Sequence, residues 1–196
     1  MNKKQKLPNY VTHYYDPESK PFLSLSELSD TECAKVIYKL NELYKRGLRK
    51  AFYDDWYIPT RRRIEREMRE EFIKKGGVAP RRFPYYFWWG ADNYRDQMGK
   101  PEFKKITLNL SQLPRESISF TYPDSIGSMV YVNDPKWSKH YHGKVFTYKE
   151  IHELFLEEEF PSGGWETNGA YSVNKYVEVQ LWCDDPIKEY ITAKSM

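Results

Sequence analysis

Glu178 is the first residue of this chain whose setting suggests chemistry. It lies in Lys175–Cys183, where Val177, Val179 and Leu181 alternate with Tyr176, Glu178, Gln180 and Trp182. A period of two predicts a strand with the aliphatic set on one face. The other face then carries a carboxylate and a carboxamide between aromatic rings, which is not the composition of a solvated face. Such a carboxylate can hold a substrate hydroxyl or act as a base. An ion pair with a cation on the next strand would account for it equally well.

Residues 81–90 are the second such stretch. Arg81 and Arg82 lead into residues 83–89, six of which are aromatic, and Gly90 closes the run. Cations beside stacked rings suit a nucleobase with its phosphate, whereas apolar residues on both faces also mark a central buried strand. In an aliphatic-poor chain some rings must serve as core, so Phe83 and Phe87 are assigned to it. A minority of polar-tipped rings, with Arg81 or Arg82, is assigned to a cleft shared with Glu178.

Histidines offer two further candidates. His13 sits in the β-prone run Tyr10–Tyr15 and can be a hydrogen-bonded core residue or a ligand-binding one. In His140-Tyr141-His142 an extended backbone would put both imidazoles on one side, which is half a metal site. No HExxH-like pattern completes it and no CxxC exists, so no metal is expected. Asp54-Asp55 reads as a turn or helix-terminus pair rather than a metal site.

These residues need elements to hold them. Ser29 and Glu32 form a capping box at the head of a helix carrying Cys33, Val36, Ile37, Leu40, Leu43 and Tyr44 on one face and stopping at Gly47. A second helix is expected from near Thr60 to Gly76-Gly77, with a thin stripe of Ile64, Met68 and Phe72. The rest of it is charge, paired at i,i+4 as Arg61/Glu65, Arg63/Glu67, Glu65/Arg69 and Arg66/Glu70, the pattern of a broad solvated face. Arg61, Arg62 and Arg63 could instead grip phosphate, since cations at a helix start oppose the macrodipole. Alternation predicts strands at 105–110, 117–122 and 129–132, with an extended piece at 144–146. Thr147 and Glu150 form another capping box, and a glycine-rich loop covers 161–174.

Helices early and strands late predict an α+β fold. The sheet is expected to be mixed or antiparallel and built mainly from middle and C-terminal strands, with two long helices in the N-terminal half and one before the last strand. Residues 1–9 read as a flexible basic tail and residues 10–196 as one domain. The 196 residues carry 31 basic and 28 acidic side chains, a mild net charge of +3 that permits an anionic partner without requiring one. No apolar run is long enough to span a bilayer, and the basic start is not followed by a hydrophobic segment, so a cytoplasmic protein without a membrane partner is expected. Cys33 and Cys183 both fall among periodic apolar residues and are expected to be buried free thiols.

Three short segments resemble the ADP-ribosyltransferase superfamily, in particular the DarT-type DNA ADP-ribosyltransferases. Thr12-His13 in an early strand resembles that family's Thr-His, Phe83-Pro84-Tyr85-Tyr86-Phe87 its Pro-Phe-Tyr-Phe, and Glu178-Val179 its catalytic glutamate strand. Asp16-Pro17-Glu18-Ser19-Lys20-Pro21 stands where the family has an asparagine-containing helix. The resemblance implies transfer of ADP-ribose from NAD as substrate. It implies that His13 bonds the adenosine-side ribose and that Tyr85 or Tyr86 stacks on nicotinamide. Glu178 would hold the nicotinamide ribose and stabilise an oxocarbenium-like transition state. Arg81 and Arg82 would contact pyrophosphate or an acceptor nucleic acid. Two other readings use the same residues. One is a non-enzymatic module for nucleotide or single-stranded nucleic acid through Arg81, Arg82 and exposed rings. The other is an interaction domain, monomeric or homodimeric, whose aromatics form an interface.

Overall fold

The computed structural model describes residues 6–47, 52–91, 103–136, 138–161 and 176–192, so most of the glycine-rich 161–174 loop lies outside the described residues. Five strands, β1 (Tyr10–Tyr15), β2 (Tyr85–Trp89), β3 (Lys104–Asn109), β4 (Ile118–Thr121) and β5 (Glu178–Leu181), form one sheet in the order β3-β1-β2-β5-β4. Each pairing is antiparallel. The helices are α1 (Asp30–Lys45), α2 (Tyr57–Lys74), α3 (Ser125–Tyr131), α4 (Tyr148–Glu157) and α5 (Lys188–Thr192). The fold is α+β, and none of these helices is long and apolar enough to cross a membrane.

The period of two in β2 and β5 sorts their residues between two layers. Tyr85, Phe87, Trp89, Val179 and Leu181 join Val11, Ile118 and Phe120 on the main core face, where Ile151 and Phe155 of α4 cover them. The opposite face is covered by α2 through Ile64, Met68 and Phe72, packed with Val145 and Trp182. That second layer is polar for half its extent: Thr12, Ser119, Thr121 and Gln180 are all buried on it. Cys33 and Cys183 are buried free thiols, as their apolar settings predict.

Both expected capping boxes form, at Ser29 and at Thr147. α1 contributes one fully buried side chain, Cys33, while Tyr44 at the end of its expected face is exposed. α2 ends in Gly76 at φ +87, which favours glycine, and a Cβ on Gly77 would lie 2.5 Å from the Phe72 ring.

Four expectations are corrected. Residues 129–132 are not a strand: Asp124 accepts from Gly127 N–H at 2.8 Å and starts α3, whose N-cap signal outweighs three β-prone side chains. Residues 144–146 give only an isolated bridge, Phe120 with Phe146. α2 begins at Tyr57, because Pro59 fits its first turn, where a missing N–H costs nothing. The inner end of the supposed tail is tied to the sheet, since the Trp89 indole donates to the Pro8 carbonyl at 2.8 Å and Leu110 N–H to that of Asn9 at 2.8 Å.

Thr147→Ala removes both side-chain contacts of the α4 cap and should cost about 1 kcal/mol of stability. Chemical denaturation checks it: the midpoint should fall with an unchanged slope, and no shift would show that the cap contributes nothing.

Candidate functional site

The sheet is split beside its centre. β1 pairs with β2 only at Val11–Trp89 and Thr12–Trp88, whereas its pairing with β3 continues to Tyr15. At the break His13 takes over from the ladder: Nδ1 lies 2.8 Å from the Tyr86 carbonyl, and Nε2 accepts from Phe22 N–H at 2.9 Å. An acceptor at Nε2 requires the neutral tautomer with the proton on Nδ1. Phe22 stacks on the imidazole at 4.1 Å and has φ 60, a left-handed conformation that a bulky residue keeps only when packing enforces it.

Past the break, a cleft of about 580 Å³ opens between β1, β2, α1 and α2. Its volume lies in the ordinary range for small-molecule sites. His13, Tyr85, Tyr86 and Glu178 all line it. Arg81 and Arg82 do not. Arg81 lies over the Tyr85 ring at 3.9 Å, with its guanidinium ion-paired to Glu27 and Asp184; Tyr85 OH also donates to Asp184, at 3.0 Å. Arg82 lies over the Phe83 ring at 5.0 Å, beside a separate groove. Arg81 and Tyr85 therefore belong to a structural knot joining β2 to the end of β5.

Glu178 is held from below by a chain of buried polar groups. Trp182 Nε1 donates to Ser119 Oγ at 2.8 Å, which donates to Gln180 Oε1 at 2.8 Å. Gln180 Nε2 then donates to Thr121 Oγ1 at 3.0 Å and to Glu178 Oε1 at 3.1 Å. Ser125 N–H, at the start of α3, also donates to Glu178 Oε1 at 3.1 Å. One carboxylate oxygen is thereby fixed on a rigid strand. Burial, reinforced by the nearby Asp124 carboxylate, pushes Glu178 up to about 7 against the pull of Ser125, Arg61 and Gln180. Burial raises Asp124 as well, although Gly127 N–H and the Tyr176 hydroxyl oppose it.

α2 supplies the facing wall. Tyr86 OH donates to Glu65 Oε1 at 2.7 Å, and Arg61 Nε lies 3.1 Å from the same oxygen. Arg61 also donates to Tyr57 OH at 3.0 Å, and its guanidinium lies 4.5 Å from the Tyr86 ring centre. Burial holds the Tyr86 phenol well above its usual range, so it donates rather than ionises. Arg61 is raised despite burial, because Tyr86, Tyr57, Glu65 and Glu178 surround it. Trp88 and Tyr176 stack at 3.5 Å to form an aromatic wall, with Tyr14 edge-on to Trp88 at 6.2 Å. Four buried polar atoms, Ser24 Oγ, Ser26 Oγ, Arg61 Nε and Glu65 Oε2, lack a hydrogen-bond partner of good geometry among the described residues. They lie where α2 meets the segment before α1.

Two residues of this site, Glu65 and Asp124, escape sequence reasoning, whereas Arg61 has a phosphate-gripping alternative beside its surface-pair reading. Arg61 and Glu65 read as a surface pair, yet Glu65 is fully buried. Asp124 is not singled out in the sequence, although an aspartate after a strand and just before an apolar run is an N-cap signal that could have placed it. His140 and His142 lie in a turn, and no metal-ligating cluster forms among the described residues. Asp54 accepts from the Trp56 indole at 3.0 Å, the local role expected of it.

No family model, curated protein or solved structure matches this chain.

The raised Glu178 has a definite sign in stability. Between its ordinary value of 4.5 and about 7 the folded state holds a proton that the unfolded state has released. Stability from this group is therefore lost as pH rises through that window. Glu178→Gln should unfold at higher denaturant than the wild type at pH 8 and show the smaller loss between pH 5 and 8. Parallel profiles for the two proteins would refute the assignment.

Proposed function

We propose that the cleft is the active site of an NAD-consuming, ADP-ribosyltransferase-like enzyme. What carries the reading is that Glu178, His13, Tyr85 and Tyr86, named from three separate stretches of sequence, line one cleft. The electrostatics support the nicotinamide half of the substrate best. Among the described residues Asp16, Asp124 and Glu178 line the cleft against two cations, Lys20 and Arg61, beside the Trp88–Tyr176 wall. Carboxylates and ring faces favour a cationic heteroaromatic ring and the oxocarbenium-like centre that forms as its glycosidic bond breaks.

In this reading Glu178 holds a hydroxyl of the ribose undergoing transfer. Its partial protonation near neutral pH lets it exchange a proton with an incoming nucleophile. Arg61 and Lys20 are the cations within reach of pyrophosphate. His13 acts through shape rather than by bonding ribose, because both its ring nitrogens already serve backbone groups. Tyr86 offers its ring, its hydroxyl being taken by Glu65. Two buried free thiols fit a reducing, cytoplasmic setting.

The competing readings have less support. A nucleotide or single-strand binding module through Arg81, Arg82 and exposed rings needs a guanidinium that is paired to Glu27 and Asp184, and an Arg82 that lines a groove to which none of the 85–89 rings contributes. A homodimer interface built on the 83–89 rings needs side chains that are buried in the sheet or turned into the cleft.

Release of nicotinamide from NAD by the purified chain is the direct measurement. Glu178→Gln should lower it by about a hundredfold or more while circular dichroism is unchanged. NAD consumption that survives the substitution would overturn the reading.

A further inference from the structure

The arginines that the cleft does not use converge elsewhere. On the far side of α2 a groove of about 330 Å³ is lined by Arg62, Arg63, Arg66, Arg69 and Arg82 together with one carboxylate, Glu70. Two of these heads are fixed. Arg62 donates to the carbonyls of Ser26 and Leu28 at 3.2 and 2.7 Å and pairs with Asp30. Arg69 donates to the Ala79 carbonyl at 2.6 and 3.0 Å and to that of Arg81 at 2.8 Å. Asp30 offsets the charge of Arg62, whereas carbonyls orient Arg69 without cancelling its charge. Arg63 is neutralised by Glu67 at 2.9 Å. Arg66 and Arg82 are exposed and have no carboxylate at ion-pair distance among the described residues.

Arg66, Arg69 and Arg82 thus keep their charge around one small groove, and Arg66 and Arg69 stand at i,i+3 spacing on α2, where like charges repel. Neither local propensity nor the packed edge of Ile64, Met68 and Phe72 requires this arrangement. A compact anion of several charges would relieve it, and planar guanidinium forks match phosphate oxygens. The groove's surroundings restrict the ligand's size. Glu70 in the lining and Glu67 and Glu71 on the same helix would repel an extended polyanion running past the groove. A di- or triphosphate group would fit between them.

We propose that this groove is a second binding site, separate from the cleft, for a compact polyphosphate group. Arg62 and Arg69 form its preset base, and Arg66 and Arg82 close on the ligand.

Titration calorimetry on the full chain at low salt, with pyrophosphate and tripolyphosphate as probes, tests it. One ion should bind per chain, more tightly for tripolyphosphate, and binding should weaken as salt rises. Arg66→Gln with Arg82→Gln should weaken it at least tenfold, whereas Glu178→Gln should leave it unchanged. Neither arginine makes a hydrogen bond to the described residues, so the unfolding midpoint of the double variant should stay near that of the wild type; each single variant gives the same test. Absence of binding at low salt, or equal binding by the double variant, would overturn the site. An oligonucleotide whose affinity grew with length through the same two arginines would overturn the compact ligand in favour of a nucleic-acid track.

Discussion

The need to satisfy buried polar groups on the second face of the sheet governs the rest of this structure. An amide or hydroxyl left unpaired in an apolar layer costs roughly 1–3 kcal/mol. Ser119, Gln180 and Thr121 avoid that cost only together, each satisfying the next from Trp182 to Glu178. The chain works in one register of β4 against β5, that of Ser119 with Gln180 and Thr121 with Glu178. A slip of one residue would turn these groups into the aliphatic core and Val179 out of it. The polar seam therefore specifies the pairing as well as stabilising it.

α2 is fitted to the same seam. Its apolar stripe covers the Trp182 end, and Arg61 with Glu65 covers the end at Tyr86. A carboxylate and a guanidinium buried together are weak contributors to stability, because desolvation offsets most of their attraction. Their effect here is positional. They fix the Tyr86 ring and line the wall opposite Glu178, so a raised, half-buried carboxylate faces a rigid cation rather than water. Electrostatic preorganisation of this kind is what a charge-developing reaction needs.

Much of this was legible in the sequence, where a local rule and its tertiary context agreed. Alternation in Val177–Leu181 marked a strand with a chemically unusual second face, and Ser29 and Thr147 announced their helices by side chains three residues on. The division of residues 83–89 into core and cleft rings followed from a shortage of aliphatics, and the structure places Phe87 and Tyr86 on opposite sides. The failures share one cause. Arg61/Glu65 at i,i+4 is indistinguishable in sequence from Arg63/Glu67, yet one pair is buried and the other exposed. The difference lies in Tyr86 and the polar sheet face, which belong to distant strands. Likewise β-prone Met129, Val130 and Tyr131 were outweighed by the Asp124 cap.

The thin packing of α1 has a kinetic consequence. Only Cys33 is fully buried on this helix, while Val36 and Leu40 line the cleft. What holds it is mostly polar: Arg62 at its head, and Asn41 exchanging two hydrogen bonds with the Tyr53 backbone near its end. Such tethers define a cooperative unit with its own small opening free energy, well below that of the sheet. Amide protons of α1 should accordingly exchange with solvent well before those of β2 and β5. The roof of the cleft can come away while its chemical floor remains folded.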